Sequence, residues 1–143
     1  MREIKADLFN YQIENLKILR CITTNGILMS TGELVMGAGI ALLAKKRFPE
    51  LPRILGPLVQ TGGNHVYILP NLGLASFPTK HHWKDNSDLK LIEQSCKELI
   101  EVDRDWDYVL LPRVGTGNGK LQWSEVKRIL INYLDSERYL ICN

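Results

Sequence analysis

Apolar residues recur along this chain with two periods, and the period changes several times. Leu16 to Thr23 alternates apolar and polar positions and then turns apolar, which predicts an inner strand. Residues 3–8 predict a short edge strand before it. Ile40, Leu43, Ala44 and Phe48 then fall at helical spacing, with Lys45, Lys46 and Arg47 near the end, where cations suit the helix dipole. Phe48-Pro49-Glu50 starts a second helix running to about Val59. Gly62-Gly63-Asn64 reads as a turn, His65 to Leu69 as a strand, and Gly73 to Phe77 as another. Ser87 suits the N-cap of a helix carrying Leu89, Ile92, Cys96 and Leu99 on one face. Tyr108 to Leu111 is wholly apolar, as a strand buried on both faces would be. Trp123, Val126, Leu130 and Tyr133 mark the last helix, and Arg138 to Cys142 the last strand. Strands alternating with helices predict a three-layer α/β/α sandwich with a mixed, mostly parallel sheet. Ligands in such folds lie beyond the carboxyl ends of the strands.

Composition narrows the function without naming it. The chain has 143 residues, which suits one domain over 1–143. Lys plus Arg number 18 against 16 Asp plus Glu, so the formal charge is only +2. No general electrostatic pull on nucleic acid follows from that, and any such contact must be local. Three widely spaced cysteines, Cys21, Cys96 and Cys142, form no CxxC or Cys/His cluster. They read as buried thiols of a reducing compartment, and no metal site is expected. No apolar run approaches the roughly 18 residues of a membrane span. A cytoplasmic monomer is the expectation.

Two glycine loops carry the candidate chemistry. One is Val35-Met36-Gly37-Ala38-Gly39-Ile40-Ala41, which opens a helix. The other is Gly115-Thr116-Gly117-Asn118-Gly119-Lys120, between a buried strand and a helix. Glycine lets backbone approach a ligand closely, and free N–H groups at a helix start favour anions. Neither loop fits GxxxxGK[ST]: Val114 stands where the first glycine would be and Leu121 follows Lys120. Nor does the first fit GxGxxG, because Leu42 takes the third position. Two such loops in one small domain suggest a diphosphate gripped from both sides.

At these loops the chain resembles the macro domain family, whose members bind ADP-ribose. VMGAGIA, followed by the helix to Phe48-Pro49, is similar to the family's first phosphate loop, and PRVGTGNGKLQW to its second. Phe77-Pro78-Thr79-Lys80-His81-His82-Trp83 resembles a segment of one branch, the DNA ADP-ribosyl glycohydrolase antitoxins of the DarT/DarG type. The resemblance implies an ADP-ribose site built from Asn25, Met36, Gly37, Ala38, Gly39, Ile40, Gly115, Thr116, Gly117, Asn118 and Gly119. It implies that Lys80 is required to remove ADP-ribose from thymine in DNA. His81 stands beside Lys80 as a candidate acid or base. Trp83 either stacks on a base or pins its loop to the core, and pinning is the expectation. Lys80 to Lys84 is the one basic-aromatic cluster, so single-stranded DNA would dock there. No cofactor is expected beyond ADP-ribose as ligand or product.

Departures qualify the likeness. Only Asn25 represents the paired asparagines of the common first loop, and Arg20 and Cys21 occupy the neighbourhood of the acid that often reads adenine. A related branch pairs its lysine with an aspartate in the second loop, where this chain has Gly119. The leading expectation is therefore a glycohydrolase acting on ADP-ribosylated macromolecules. A phosphatase acting on ADP-ribose 1″-phosphate and a non-catalytic ADP-ribose reader are the alternatives.

Overall fold

A computed structural model describes residues 1–143. Its strands are β1 (Arg2–Ile4), β2 (Ile18–Thr24), β3 (Ile68–Leu69), β4 (Leu74–Pro78), β5 (Tyr108–Pro112) and β6 (Tyr139–Cys142). Its helices are α1 (Gly39–Arg47), α2 (Leu51–Gly62), α3 (Leu89–Val102) and α4 (Trp123–Tyr133). The strands form one sheet in the order β1-β6-β5-β2-β4-β3, parallel throughout except for β3.

The period of two along each inner strand divides the core. Ile18 and Ile22 pack with Ala41, Ala44, Leu51 and Leu55 on the α1/α2 face. Leu19 and Cys21 pack with Ile92, Leu99, Val126 and Leu130 on the α3/α4 face. β5 and β6 alternate likewise: Leu110 and Leu140 go to the first core, Val109, Leu111 and Ile141 to the second. Both faces of the sheet are thus covered, as parallel sheets require. The three cysteines are buried and unpaired. Burial pushes the thiols of Cys96 and Cys142 up, to about 12 and about 11.

Several boundaries differ from expectation, each for a local reason. The first strand stops at Ile4, because the Asp7 carboxylate accepts from the N–H groups of Phe9 and Asn10 and turns the chain. α2 begins at Leu51, with Pro52 in its first turn, and continues to Gly62. The expected strand 65–69 shrinks to Ile68–Leu69. The Ser76 hydroxyl takes ladder positions there, accepting from Tyr67 N–H at 2.8 Å and donating to the His65 carbonyl at 2.9 Å. Asp88, not Ser87, caps α3, its carboxylate accepting from the Lys90 N–H at 2.9 Å.

Candidate functional site

The carboxyl ends of β2, β4 and β5 open onto a cavity of about 720 Å³. Thr23, Thr24 and Asn25 line it from β2, Thr79 and Lys80 from β4, and Pro112 and Arg113 from β5. Both glycine loops line it: Gly37, Ala38, Gly39 and Ile40 from the first, Gly115, Gly117, Asn118 and Gly119 from the second. α1 starts here with no side chain on its N-cap, Ala38. Its first N–H groups are therefore available to an anion in the cavity. Gly39, at φ +57°, takes the left-handed turn that starts the helix.

Lys80 bridges the second loop and its own. Its Nζ donates to the Asn118 carbonyl at 3.3 Å and to the Trp83 carbonyl at 3.4 Å. Its backbone is held too. The Thr24 carbonyl accepts from the N–H groups of Thr79 and Lys80, extending the β2–β4 ladder past its last pair. An ammonium has three donors, so two carbonyl bonds leave one for a ligand.

Three of the expected site residues stand outside the cavity wall. Met36 is 2% exposed and packs in the α1/α2 core, where an apolar side chain in this loop belongs. The Thr116 hydroxyl folds back to donate to the Arg113 carbonyl at 2.7 Å. His81 turns to solvent and meets the Asp88 carboxylate at 2.9 Å, so it does not share the cavity with Lys80. That hydrogen bond, with further help from the N–H groups of Lys90 and Leu91, holds the Asp88 carboxyl below the usual range against the effect of burial.

Two further expectations change. Trp83 does not pin its loop to the core: it is 49% exposed and stands on the cavity rim. Lys84 Nζ lies 5.2 Å from its ring centroid and the His82 ring 5.3 Å away. Asn25 lines the cavity, but its amide is engaged within the loop. Its Oδ1 accepts from the Ile27 N–H and its Nδ2 donates to the Val35 carbonyl. Arg20 sits under the first residues of the chain, donating to the carbonyls of Leu8 and Tyr11.

At Gly119 the structure explains why this chain carries no acid. A Cβ there would stand 2.1 Å from Ser87 Oγ and 2.5 Å from the Gly115 carbonyl oxygen. No side chain fits without moving backbone.

Sequence reading missed Arg113, the second cation on the wall. Its guanidinium meets Glu3 Oε1 at 3.1 Å and lies 5.3 Å from the Trp123 ring centroid. Lys127 also binds Glu3, and its hydrogen bond does most to hold that carboxyl below its usual range. The available signal was position: Arg113 follows the last residue of a central strand.

No protein-family model matches the chain. A DNA ADP-ribosyl glycohydrolase of Mycobacterium tuberculosis is 33% identical over 109 residues, which cover 68% of this chain and 31% of that protein. One of Thermus aquaticus is 33% identical over 113 residues, covering 71% of this chain and 31% of its own. The chain thus spans under a third of the length of these relatives. An ADP-ribose glycohydrolase of Bos taurus is 28% identical over 137 residues, covering 89% of this chain and 79% of its own. Among solved structures, the macrodomain of M. tuberculosis DarG superposes with a TM-score of 0.80 at 27% identity, over 99% of this chain and 95% of that one. The T. aquaticus DarG macrodomain gives 0.80 at 26% identity, over 99% and 97%. The structural likeness extends over 99% of the chain, and the chain belongs to the macro domain family, with its similarity directed towards the macrodomains of DarG proteins.

Proposed function

We propose that this domain binds ADP-ribose across its two glycine loops and hydrolyses the bond joining the distal ribose to a macromolecule, with ADP-ribosyl-thymidine in DNA as substrate. The observation that carries this reading is Lys80, fixed on the cavity wall by the Asn118 and Trp83 carbonyls. The relatives described as DNA ADP-ribosyl glycohydrolases support the same choice of substrate. The diphosphate lies between the loops, on the uncapped start of α1 and the backbone of residues 115–119.

The chemistry follows from the charges. As the glycosidic bond breaks, positive charge develops on the ribose and negative charge on the departing base. A cation cannot stabilise the ribosyl carbon. The remaining N–H of Lys80 acts on the departing base, whose electron pair it stabilises while water supplies the oxygen to the ribose. The base takes a proton, and ADP-ribose leaves. Trp83, Lys84 and His82 receive the adjoining nucleotides of a single strand, an aromatic face flanked by cationic groups.

The test is a panel of substrates: an oligonucleotide carrying ADP-ribosyl-thymidine, a glutamate-modified protein and ADP-ribose 1″-phosphate. The expected result is release of ADP-ribose from the oligonucleotide. Lys80→Ala should lose about 100- to 1000-fold in rate and keep its affinity for free ADP-ribose. Lys80→Arg keeps the charge and should keep part of the rate; complete loss would point to a nucleophilic amine instead. Wild-type rates in Lys80→Ala refute the role of Lys80. Activity confined to the 1″-phosphate makes the domain a phosphatase, and binding without turnover on any substrate makes it a reader.

A further inference from the structure

The segment that carries Lys80 is tied down by a side chain that lies outside the cavity wall. Asn64 Nδ2 donates to the Lys80 carbonyl at 2.9 Å. Next to that bond, the Gly26 N–H donates to the His81 carbonyl at 3.2 Å. Asn64 also packs against Gly26 itself: a Cβ at Gly26 would stand 3.1 Å from Asn64 Cβ, Cγ and Nδ2. One amide therefore joins the loop after β2 to the segment after β4, and both segments border the cavity.

The amide is costly where it stands. Its Oδ1 is buried with no hydrogen-bond partner among the protein's own groups. A buried oxygen in that state is unfavourable, and such groups call for an explanation. The orientation cannot simply be reversed, since that would set Oδ1 against the Lys80 carbonyl oxygen. Asn64 is itself firmly placed. The chain around it is held by Tyr67 Oη, which donates to the Gly63 carbonyl at 2.9 Å. Glu98 adds to this, accepting from the Val66 N–H at 2.9 Å and meeting His65 Nδ1 at 2.8 Å.

We propose that Asn64 is a positioning residue that sets the backbone of Lys80, and through it the ammonium, for reaction. This rests on the reading of Lys80 given above. The unpartnered Oδ1 accompanies a donor that serves the geometry of the site. The glycine loops, which hold the diphosphate, make no bond to Asn64, so the binding of ADP-ribose does not depend on it.

The experiment is kinetic, on the thymidine-linked oligonucleotide, with melting and ADP-ribose affinity measured in parallel. Asn64→Ala removes the orphaned oxygen but also leaves the Lys80 carbonyl without its donor, so the melting temperature should fall by only a few degrees. The kcat should fall about 10- to 100-fold, the range expected when a catalytic group is misplaced by about 1 Å. KM and the affinity for ADP-ribose should stay within twofold. Asn64→Asp, which sets an oxygen against the Lys80 carbonyl, should be slower still. In a Lys80→Ala background, Asn64→Ala should cost nothing further, because the two act as a unit. Wild-type kcat in Asn64→Ala, or a fall in affinity equal to the fall in rate, overturns the proposal. Wild-type activity in Lys80→Ala alone would instead refute the reading of the reaction, whatever Asn64 does.

Discussion

Gly117 and Gly39 both line the cavity, and a valine at each should fail for different reasons. Around Gly117 a Cβ meets nothing within 4 Å, and its φ lies outside the left-handed region. Valine there costs the folded state little, within about 0.5 kcal/mol for a surface change of this kind. Its branched carbons project into the space assigned to the diphosphate. Gly39 sits at φ +57°, and a Cβ would stand 3.4 Å from Asn118 Nδ2. Left-handed backbone costs an L-residue about 1–2 kcal/mol before any contact is counted, and a β-branched one more. Thermal melts with and without ADP-ribose separate the two effects. At 100 times its Kd the ligand adds about 2.7 kcal/mol to the wild type. In a domain of this length that is a rise on the order of 8 °C. Gly117→Val should melt like the wild type without ligand and gain nothing from ligand. Gly39→Val should melt several degrees lower and also gain nothing. A full ligand shift in Gly117→Val would remove the second loop from the binding site, and with it the two-sided grip.

Three other outcomes follow from packing and charge. Asp103 is fully buried, meeting Arg138 Nη2 and the Tyr139 hydroxyl at 2.6 Å each, so Asp103→Ala should cost about 3–5 kcal/mol in denaturant melts. Gly56 touches the loop before the first glycines: a Cβ there would stand 1.9 Å from the Gly32 carbonyl oxygen, and Gly56→Ala should cost about 1–3 kcal/mol although alanine favours helix. The lowered pKa of Asp88 gives stability that is complete above about pH 4 and lost as pH falls through the folded value. Asp88→Asn should therefore differ from wild type near neutrality and converge on it in acid, as melts across that range will show; a constant gap would contradict the linkage.

Much of this fold was legible because its inner strands are apolar and the helices α2, α3 and α4 are amphipathic. The run Leu16 to Thr23, alternating and then apolar, predicted an inner strand, and the structure gives each face of that strand its own core. Legibility ended where a side chain took over a backbone role. Ser76 truncates β3 and Asp7 truncates β1, and neither leaves a mark in hydrophobic period. Both glycine loops were visible as loops, and the structure brings them to one cavity. Within them, Met36 and Thr116 look no different from their neighbours, because inward and outward directions in a loop follow no period. Asn64 was read only as part of a turn, and Arg113 was marked by its position alone, because the contacts that define them are not local. Each reaches its partner across a long stretch of chain, to Lys80 and to Glu3.

The order of strands also governs how the chain must come together. β1 pairs only with β6, so residues 2–4 have no partner until residues 140–142 exist. β2, near the middle of the sheet, likewise waits for β4 and β5. Pairings so distant in sequence make for slow folding. During synthesis at about 5–20 residues per second, the first strand stays unpaired for roughly 7–30 s. An unpaired strand is a template for a neighbouring chain unless something discourages it. Here the strand is three residues long, and two of them are Arg2 and Glu3. The charges that border the finished sheet are thus already in place to guard the unfinished one.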